Sequence, residues 1–181
     1  MSKLIGKTLA ADVAKNLANN AFVADIEASS EALKHAVDEI VWPEIPADIA
    51  DMFRKNPKYF NTCSSVRVEN SENSSDDGYF PCNSFPSTNS WNPTFVVSKE
   101  ILDGLRIMKD REKTLRKGRD EAERAARNLL LELKTFKRIQ EVFPEAYALI
   151  PVSELEAGGG TSLSIPVNTV KALLRIKAQT V

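Results

Sequence analysis

The chain has 181 residues, of which 43% are hydrophobic and 27% are charged. These proportions are typical of a folded globular protein and exclude the low-hydrophobicity, high-net-charge composition of disordered chains. Because 24 Lys and Arg face 25 Asp and Glu, the formal net charge is −1. No overall positive field therefore draws the chain to nucleic acid or to an anionic membrane. The length predicts a single domain over 1–181.

The expected location is cytoplasmic. The first residues lack the continuous apolar core of a signal peptide, and no run approaches the roughly 18 apolar residues of a membrane span. Cys63 and Cys82 flank a polar stretch and match neither a redox pair nor paired zinc knuckles. We therefore expect free thiols in a reducing compartment and no contact with a membrane.

The first third of the sequence predicts short helices, over 1–60. Apolar residues recur every four positions through 8–20, which indicates an amphipathic helix. A second helix is predicted over 24–41 and stops at Trp42, because the residue before a proline avoids the helical region. A third, shorter helix is predicted within 46–55.

The region 61–97 predicts a small antiparallel sheet of two or three strands. Polar and apolar residues alternate through 64–69, as in a half-buried strand. The Asn/Ser-rich tract 70–92 is interrupted by prolines, which favours a long loop with a second short strand at 79–80. Residues 94–97 could return as a third strand.

A long, charged helix is predicted over 98–143. Ser98 stands at an N-cap position, and Glu100 follows in the first turn, where a negative charge suits the helix dipole. A helix of this length spans roughly 65 Å at 1.5 Å per residue. Apolar residues recur in a heptad pattern, which makes the helix resemble a coiled coil. The predicted helix seam consists of Ile101, Leu105, Met108, Leu115, Leu129, Leu133 and Phe136.

Gly118 leaves two topologies open for the long helix. The heptad register runs through this glycine unbroken, which favours a continuous or slightly bent helix. The alternative is a hairpin with its turn near Gly118, because glycine costs about 1 kcal/mol in the middle of a helix and suits a C-cap.

The middle of the long helix carries an excess of basic side chains. Between 109 and 127 there are eight Lys and Arg against five Asp and Glu, a local excess of +3. The residues are Lys109, Arg111, Lys113, Arg116, Lys117, Arg119, Arg124 and Arg127. They form either a solvated face with ion pairs along the helix or a surface for phosphates or a partner. No aromatic residue lies between 99 and 135, so a duplex backbone or a protein is favoured over stacked single strands.

The remaining stretch, 144–181, predicts a linker and a last short helix. Gly158–Gly160 lacks the lysine and the leading strand of a phosphate loop, so a linker is favoured. His35 is the only histidine and therefore supplies no metal site alone. Asp76 and Asp77 precede Gly78, which favours a turn over a calcium loop. We expect no catalytic residue, metal or cofactor, which favours a non-enzymatic protein.

A run near the end of the long helix carries a family resemblance. Thr135, Lys137 and Glu141 are followed by the sequence Phe-Pro-Glu at 143–145. Together with the charged heptads before it, this run resembles the fifth of the nucleotide modification associated domain families of bacteriophages. The order of the N-terminal helices and of the closing helix is also similar, whereas the Asn/Ser-rich tract departs from the family pattern.

The resemblance implies a phage or prophage gene that accompanies DNA-modification genes, and it transfers no catalytic residue. The first hypothesis is a non-enzymatic phage protein that binds a host protein, a defence complex or a protein–nucleic-acid assembly, as a host-takeover or counter-defence inhibitor. The alternative is an accessory factor in the modification of DNA or nucleotide bases, either by binding modified bases or through an active site within 63–91. A structural role in the virion is a third hypothesis.

The long helix also bears on the oligomeric state. We expect the N-terminal helices and the helix at 170–176 to bury the two ends of the seam. A homodimer is favoured over a monomer, and any dimer is predicted to be antiparallel along the long helix, with the charged residues of 109–127 setting its register.

Overall fold

The computed structural model describes residues 4–87, 94–151, 154 and 167–175. The fold is α+β and mostly α, as the sequence predicted. Within these residues the chain forms six α-helices: α1 (Lys7–Val41), α2 (Ala47–Lys55), α3 (Lys99–Leu133), α4 (Phe136–Val142), α5 (Pro144–Tyr147) and α6 (Val167–Leu173). The described part of the chain also contains three strands: β1 (Asn61–Asn70), β2 (Asn73–Ser87) and β3 (Thr94–Val97). Short 3₁₀ helices occupy Trp42–Glu44 and Pro57–Tyr59.

The first helix is a single element of 35 residues, so the prediction of two short helices there was wrong. The stretch 20–24 contains neither glycine nor proline, and Phe22 and Ile26 extend the buried face of the helix across it. The predicted stop before Pro43 is confirmed, since α1 ends at Val41 and the chain tightens into a 3₁₀ turn.

The sheet has the order β2-β1-β3 and is mixed, whereas the sequence predicted an antiparallel sheet. β1 and β2 form an antiparallel hairpin, but β3 runs parallel to β1. Asn61 at the start of β1 lies opposite Ser87 at the end of β2. The end of β2 therefore lies beside the start of β1. A later strand that pairs with the other edge of β1 can then run in the same direction as β1, as β3 does.

Most of the Asn/Ser-rich tract forms strand β2 rather than a long loop. Strand β2 pairs in antiparallel orientation with almost the whole of β1. Its side chains Phe80, Cys82 and Phe85 are buried. The burial of these three side chains outweighs the low strand propensity of their neighbours. Residues 88–93 lie outside the described part of the chain.

The long helix is continuous through Gly118 but ends at Leu133, ten residues before the predicted end. Lys134 has φ 61°, in the left-handed region, which stops the helix. Thr135 then caps α4 by accepting a hydrogen bond from the Arg138 backbone N–H at 3.4 Å. The hairpin alternative at Gly118 is therefore wrong, and the real interruption lies sixteen residues later.

Replacing Lys134 by glycine should raise the free energy of unfolding by up to about 1 kcal/mol, because glycine adopts positive φ without the Cβ clash. The backbone hydrogen bond from Ile5 N–H to the Lys134 carbonyl, at 2.7 Å, does not depend on the side chain. Urea unfolding would measure the change. The control, Lys137→Gly inside α4, should lower stability by about 1 kcal/mol. Destabilisation by Lys134→Gly would contradict this account.

The contacts divide the chain into two compact units. Unit 1 comprises residues 1–26 with 114–181, and unit 2 comprises residues 27–113. In unit 1, buried side chains of α1 and α3 pack with α4, α5 and α6 in an all-helical core. In unit 2, buried side chains of α1 and α3 cover one face of the sheet. None of the described helices combines the length and the apolar character needed to cross a bilayer.

Candidate functional site

The predicted helix seam contributes to the cores of the two units. Leu129, Leu133 and Phe136 are buried in unit 1 together with Val170 and Leu174, near α6. Leu115 in unit 1 and Met108 in unit 2 are half-buried, and Leu105 is buried in unit 2. Ile101 is 45% exposed, and its neighbour Leu102 is buried instead. The role of the seam in a dimer stays a prediction.

The eight predicted basic residues have three different environments. Lys109 is occupied within unit 2: its Nζ donates to the Tyr79 carbonyl at 2.7 Å and lies 5.3 Å from the centre of the Phe80 ring. Arg111 and Lys113 are exposed on α3 in unit 2. The other five lie on the part of α3 that belongs to unit 1, where Arg119 is half-buried.

Four exposed cations of unit 1 form what we call the α3 basic patch: Arg116, Lys117, Arg124 and Arg127. At 100° per residue they lie within an arc of about 100° on the helix, and they extend along it for about 16 Å. Ala122, Ala126 and Leu129 mark the opposite, buried face of the same helix. The patch therefore points its charges away from the core of unit 1.

Acidic neighbours partly neutralise the patch. Asp120 is the acidic residue in the centre of the patch. The Arg119 guanidinium donates to its carboxylate at 2.7 and 3.1 Å, so this negative charge is paired with Arg119. Lys117 Nζ lies 3.8 Å from Glu121 Oε1, a long exposed pair of the kind that contributes little. Five bases and three acids between 114 and 127 leave a local charge of +2. The patch therefore keeps a small positive excess.

A network of charged groups, which the sequence analysis did not identify, joins the sheet to α3 in unit 2. Arg106 Nη2 donates to Asp76 Oδ1 at 2.6 Å and to the Asp77 carbonyl at 2.9 Å, and Nη1 donates to Asp103 at 3.3 Å. The Asn70 side chain donates to Asp76 Oδ2 at 3.3 Å. On the neighbouring strands, Arg67 Nε donates to Asp77 Oδ2 at 2.6 Å. Each charge has an opposite partner, so the network fixes the hairpin on the helix.

The pKa directions follow from these pairs. The hydrogen bond from Arg106 is the main cause that lowers the pKa of Asp76, and burial opposes it. The hydrogen bond from Lys99 lowers the pKa of Asp103 in the same way. The pKa of Arg106 is raised, chiefly by Asp76, so the guanidinium stays charged throughout. At neutral pH both carboxylates are ionised and paired.

Stability should therefore fall in acid. Because the folded pKa of Asp76 and of Asp103 is lowered, their contribution is present above the unfolded pKa and is lost as the pH falls from about 5 through the lowered folded pKa. Melting temperatures measured across this range should fall less steeply for Asp76→Asn and for Arg106→Gln than for the parent chain. Equal slopes for all three chains would contradict the assignment.

The residues that carry the family resemblance have structural roles in unit 1. Thr135 is buried and caps α4, and Lys137 pairs with Glu141 at 3.9 Å. Phe143 is fully buried, and Pro144 takes the first position of α5. Glu145 then binds Lys171 of α6 at 3.0 Å. The motif therefore connects α4, α5 and α6.

The cysteines and the acidic turn have structural environments as well. Cys63 and Cys82 are free and buried, and burial raises the pKa of Cys82 to about 12, so its reactive thiolate is scarce at neutral pH. Asp77 and Gly78 pair with Glu69 and Val68 in the hairpin, so the predicted turn there was wrong. Among the described residues, no group of three His, Cys, Asp or Glu is placed to hold a metal ion. Gly158–Gly160 and Trp91 lie outside the described residues.

The fold and these sites define a mostly helical α+β protein with a basic helix face and a charged network between sheet and helix. Residues 6–177 match the family described as nucleotide modification associated domain 5, and the chain belongs to this family. No curated protein and no solved structure matches it significantly.

Proposed function

We propose that this chain is a phage-encoded, non-catalytic accessory of nucleotide modification that binds the phosphate backbone of double-stranded DNA. The observation that carries the proposal is the α3 basic patch, four exposed cations on one face of a helix in a family named for nucleotide modification. The accessory function is preferred to the host-directed one because the family description refers to nucleotides.

Two features of α3 support a backbone ligand. Helical spacing places the four cations over about 16 Å, a length that covers several phosphates of a duplex. The helix contains no aromatic residue on which an unpaired base could stack. The patch therefore positions DNA without reading its sequence, since backbone contacts carry no base information.

The test measures the nucleoside composition of DNA from the phage that carries the gene. DNA would be prepared with the gene intact, deleted, and replaced by a variant with all four patch residues changed to glutamine, and its nucleosides quantified by mass spectrometry. We expect a modified nucleoside to decline in the deletion and in the variant. Identical nucleoside compositions in all three samples would refute the proposed function.

Exposed apolar side chains favour a second candidate function, the binding of a host protein. In unit 2, Tyr79 and Val96 are 55% and 61% exposed, and Ile107 on α3 is 71% exposed. Large exposed apolar groups are common at protein interfaces. A host protein that binds purified chain with micromolar or better affinity, and loses that affinity with Tyr79→Ser and Val96→Ser, would support this candidate. Unchanged affinity of both variants would oppose it.

A further inference from the structure

The two edges of the sheet in unit 2 differ in what covers them. The strand order β2-β1-β3 places β2 and β3 at the edges. An edge strand presents a row of backbone N–H and C=O groups with which a further strand can pair, and folded proteins commonly cover or interrupt this row. The groups that face outward on each edge therefore decide where another strand can join the sheet.

Two cations of α3 cover the outer edge of β2. The Asp77 carbonyl accepts a hydrogen bond from Arg106 at 2.9 Å. The next outward carbonyl, that of Tyr79, accepts one from Lys109 Nζ at 2.7 Å. A strand added at this edge would have to displace both bonds.

The rest of the β2 edge is covered by α1 and interrupted by a proline. The Asn83 backbone N–H donates to the Asp38 carboxylate of α1 at 3.1 Å. Pro81, two residues earlier, has no N–H to donate to an added strand. Together with the cations of α3, these residues close the β2 edge to further pairing.

The outer edge of β3 is open among the described residues. The Val97 carbonyl accepts a hydrogen bond from the Ser71 N–H at 2.8 Å, so the backbone groups of Val97 face the β1 side. Because successive residues of a strand alternate, the N–H and C=O groups of Thr94 and Val96 face away from β1. No residue in the described part of the chain hydrogen-bonds to these outward groups.

The side chains of β3 suit a neighbouring strand on this edge. The sequence of 94–97 is Thr-Phe-Val-Val, without a charge. Phe95 packs on the core, with its ring centre 6.3 Å from that of Phe85, yet it is only partly buried. Val96 is 61% exposed. Uncharged β-branched and aromatic residues are typical of paired strands, whereas exposed edges usually carry charged side chains.

We propose that β3 pairs with β3 of a second copy of this chain, antiparallel and about a twofold axis at Phe95. In this register Thr94 of each copy lies opposite Val96 of the other, and about four backbone hydrogen bonds form. The two Phe95 side chains become direct cross-strand neighbours, which buries more of each ring. No like charges meet across the axis, because the strand has none.

The covered edge of β2 is the reason for choosing a second copy as the occupant. Each copy offers one open edge and one closed edge, so the joined sheet ends at a closed β2 edge on both sides. A twofold contact uses the same surface on both copies and does not propagate into a fibre. The dimer therefore removes the exposed strand edge that favours aggregation. The contact lies in unit 2 and does not depend on the α3 basic patch or on DNA binding.

Sedimentation velocity of the full chain from nanomolar to high micromolar concentration would test the proposal. We expect a monomer–dimer equilibrium without larger species. Val96→Pro removes the outward N–H and should weaken the dimer at least about tenfold, while the pairing of β3 with β1 is kept because this N–H does not face β1. The matched control, Val96→Thr, keeps the N–H and the β-branched shape and should leave the dissociation constant within about twofold.

Hydrogen exchange of the unsubstituted chain tests the same contact. The Val96 amide should exchange at least about tenfold more slowly at concentrations that populate the dimer than after dilution. The Phe95 amide, which faces β1, should be protected to the same extent in both states. If circular dichroism shows that Val96→Pro is unfolded, the exchange of the Val96 amide decides the question.

Four outcomes would overturn the proposal. They are a monomer at every concentration, assemblies larger than a dimer, a dimer that folded Val96→Pro leaves intact, and a Val96 amide whose exchange does not depend on concentration. Loss of the dimer when the four residues of the α3 basic patch are changed to glutamine, with Val96→Pro still dimeric, would assign the association to the long helix instead.

Discussion

Duplex DNA should bind the chain with an affinity that falls about 100-fold between 50 and 200 mM salt. Four neutralised phosphates predict a slope of log affinity against log salt of about −3.6, because each contact releases condensed counterions. Changing Arg116, Lys117, Arg124 and Arg127 to glutamine should remove most of this slope and most of the affinity at low salt. Fluorescence anisotropy of a labelled duplex at four salt concentrations would measure both quantities.

The matched control removes the same charge elsewhere. Lys7, Lys15, Lys55 and Lys58 are exposed and lie outside α3. Their fourfold change to glutamine gives the same net charge, −5, and should keep the salt slope within about one unit of that of the parent. Equal loss in both fourfold variants would mean that bulk charge, and not the α3 basic patch, attracts the DNA. A single-stranded oligonucleotide should bind more weakly than the duplex, since α3 offers no aromatic platform.

Replacing Phe143 by alanine should lower the free energy of unfolding by about 3–5 kcal/mol. The side chain is fully buried in the core of unit 1 at the junction of α4 and α5, and Lys171 Nζ of α6 lies 6.0 Å from the centre of its ring. Removing the ring would leave a cavity among three helices. Domains are typically stable by only about 5–15 kcal/mol, so the loss is a large fraction of the total.

Urea unfolding followed by circular dichroism would measure the Phe143 effect. Phe143→Leu, which keeps most of the volume, should cost less than about 1.5 kcal/mol. Tyr59→Ala removes an aromatic ring that is 75% exposed and should change stability by no more than about 0.5 kcal/mol. A loss below 1 kcal/mol for Phe143→Ala would show that the family motif does not hold α4, α5 and α6 together.

The fold class and most of the helices were predictable because their signals are local. Four-residue apolar spacing indicates helices over 8–20 and 24–41, which the structure joins into α1, the proline after Trp42 marks its end, and the charged heptads indicate α3 and its exposed cations. The family was also accessible from the run around Thr135 and Phe143, which the comparison confirms. These features depend on neighbours within one or two helical turns.

Helix ends and strand pairing needed the tertiary structure. The end of α3 at Lys134 is determined by a left-handed residue and by the burial of Thr135, and no glycine or proline marks it in the sequence. The Asn/Ser-rich tract has the composition of a loop, yet it becomes β2 because β1 supplies a pairing partner and the core covers Phe80 and Cys82. The burial of a side chain depends on residues that are distant in the sequence, which a local pattern does not contain.

For this protein, the sequence alone determined which charged residues occur along α3, and the tertiary structure determined which partners they have. All eight basic residues of 109–127 were equivalent as sequence positions, but the fold occupies Lys109 with the Tyr79 carbonyl and pairs Arg119 with Asp120. It also brings Arg106 to Asp76, thirty positions away, and places Trp42 beside Asp38 and Glu39 in one groove. The physical reason is that electrostatic pairing acts over a few ångströms in space, whatever the separation along the chain.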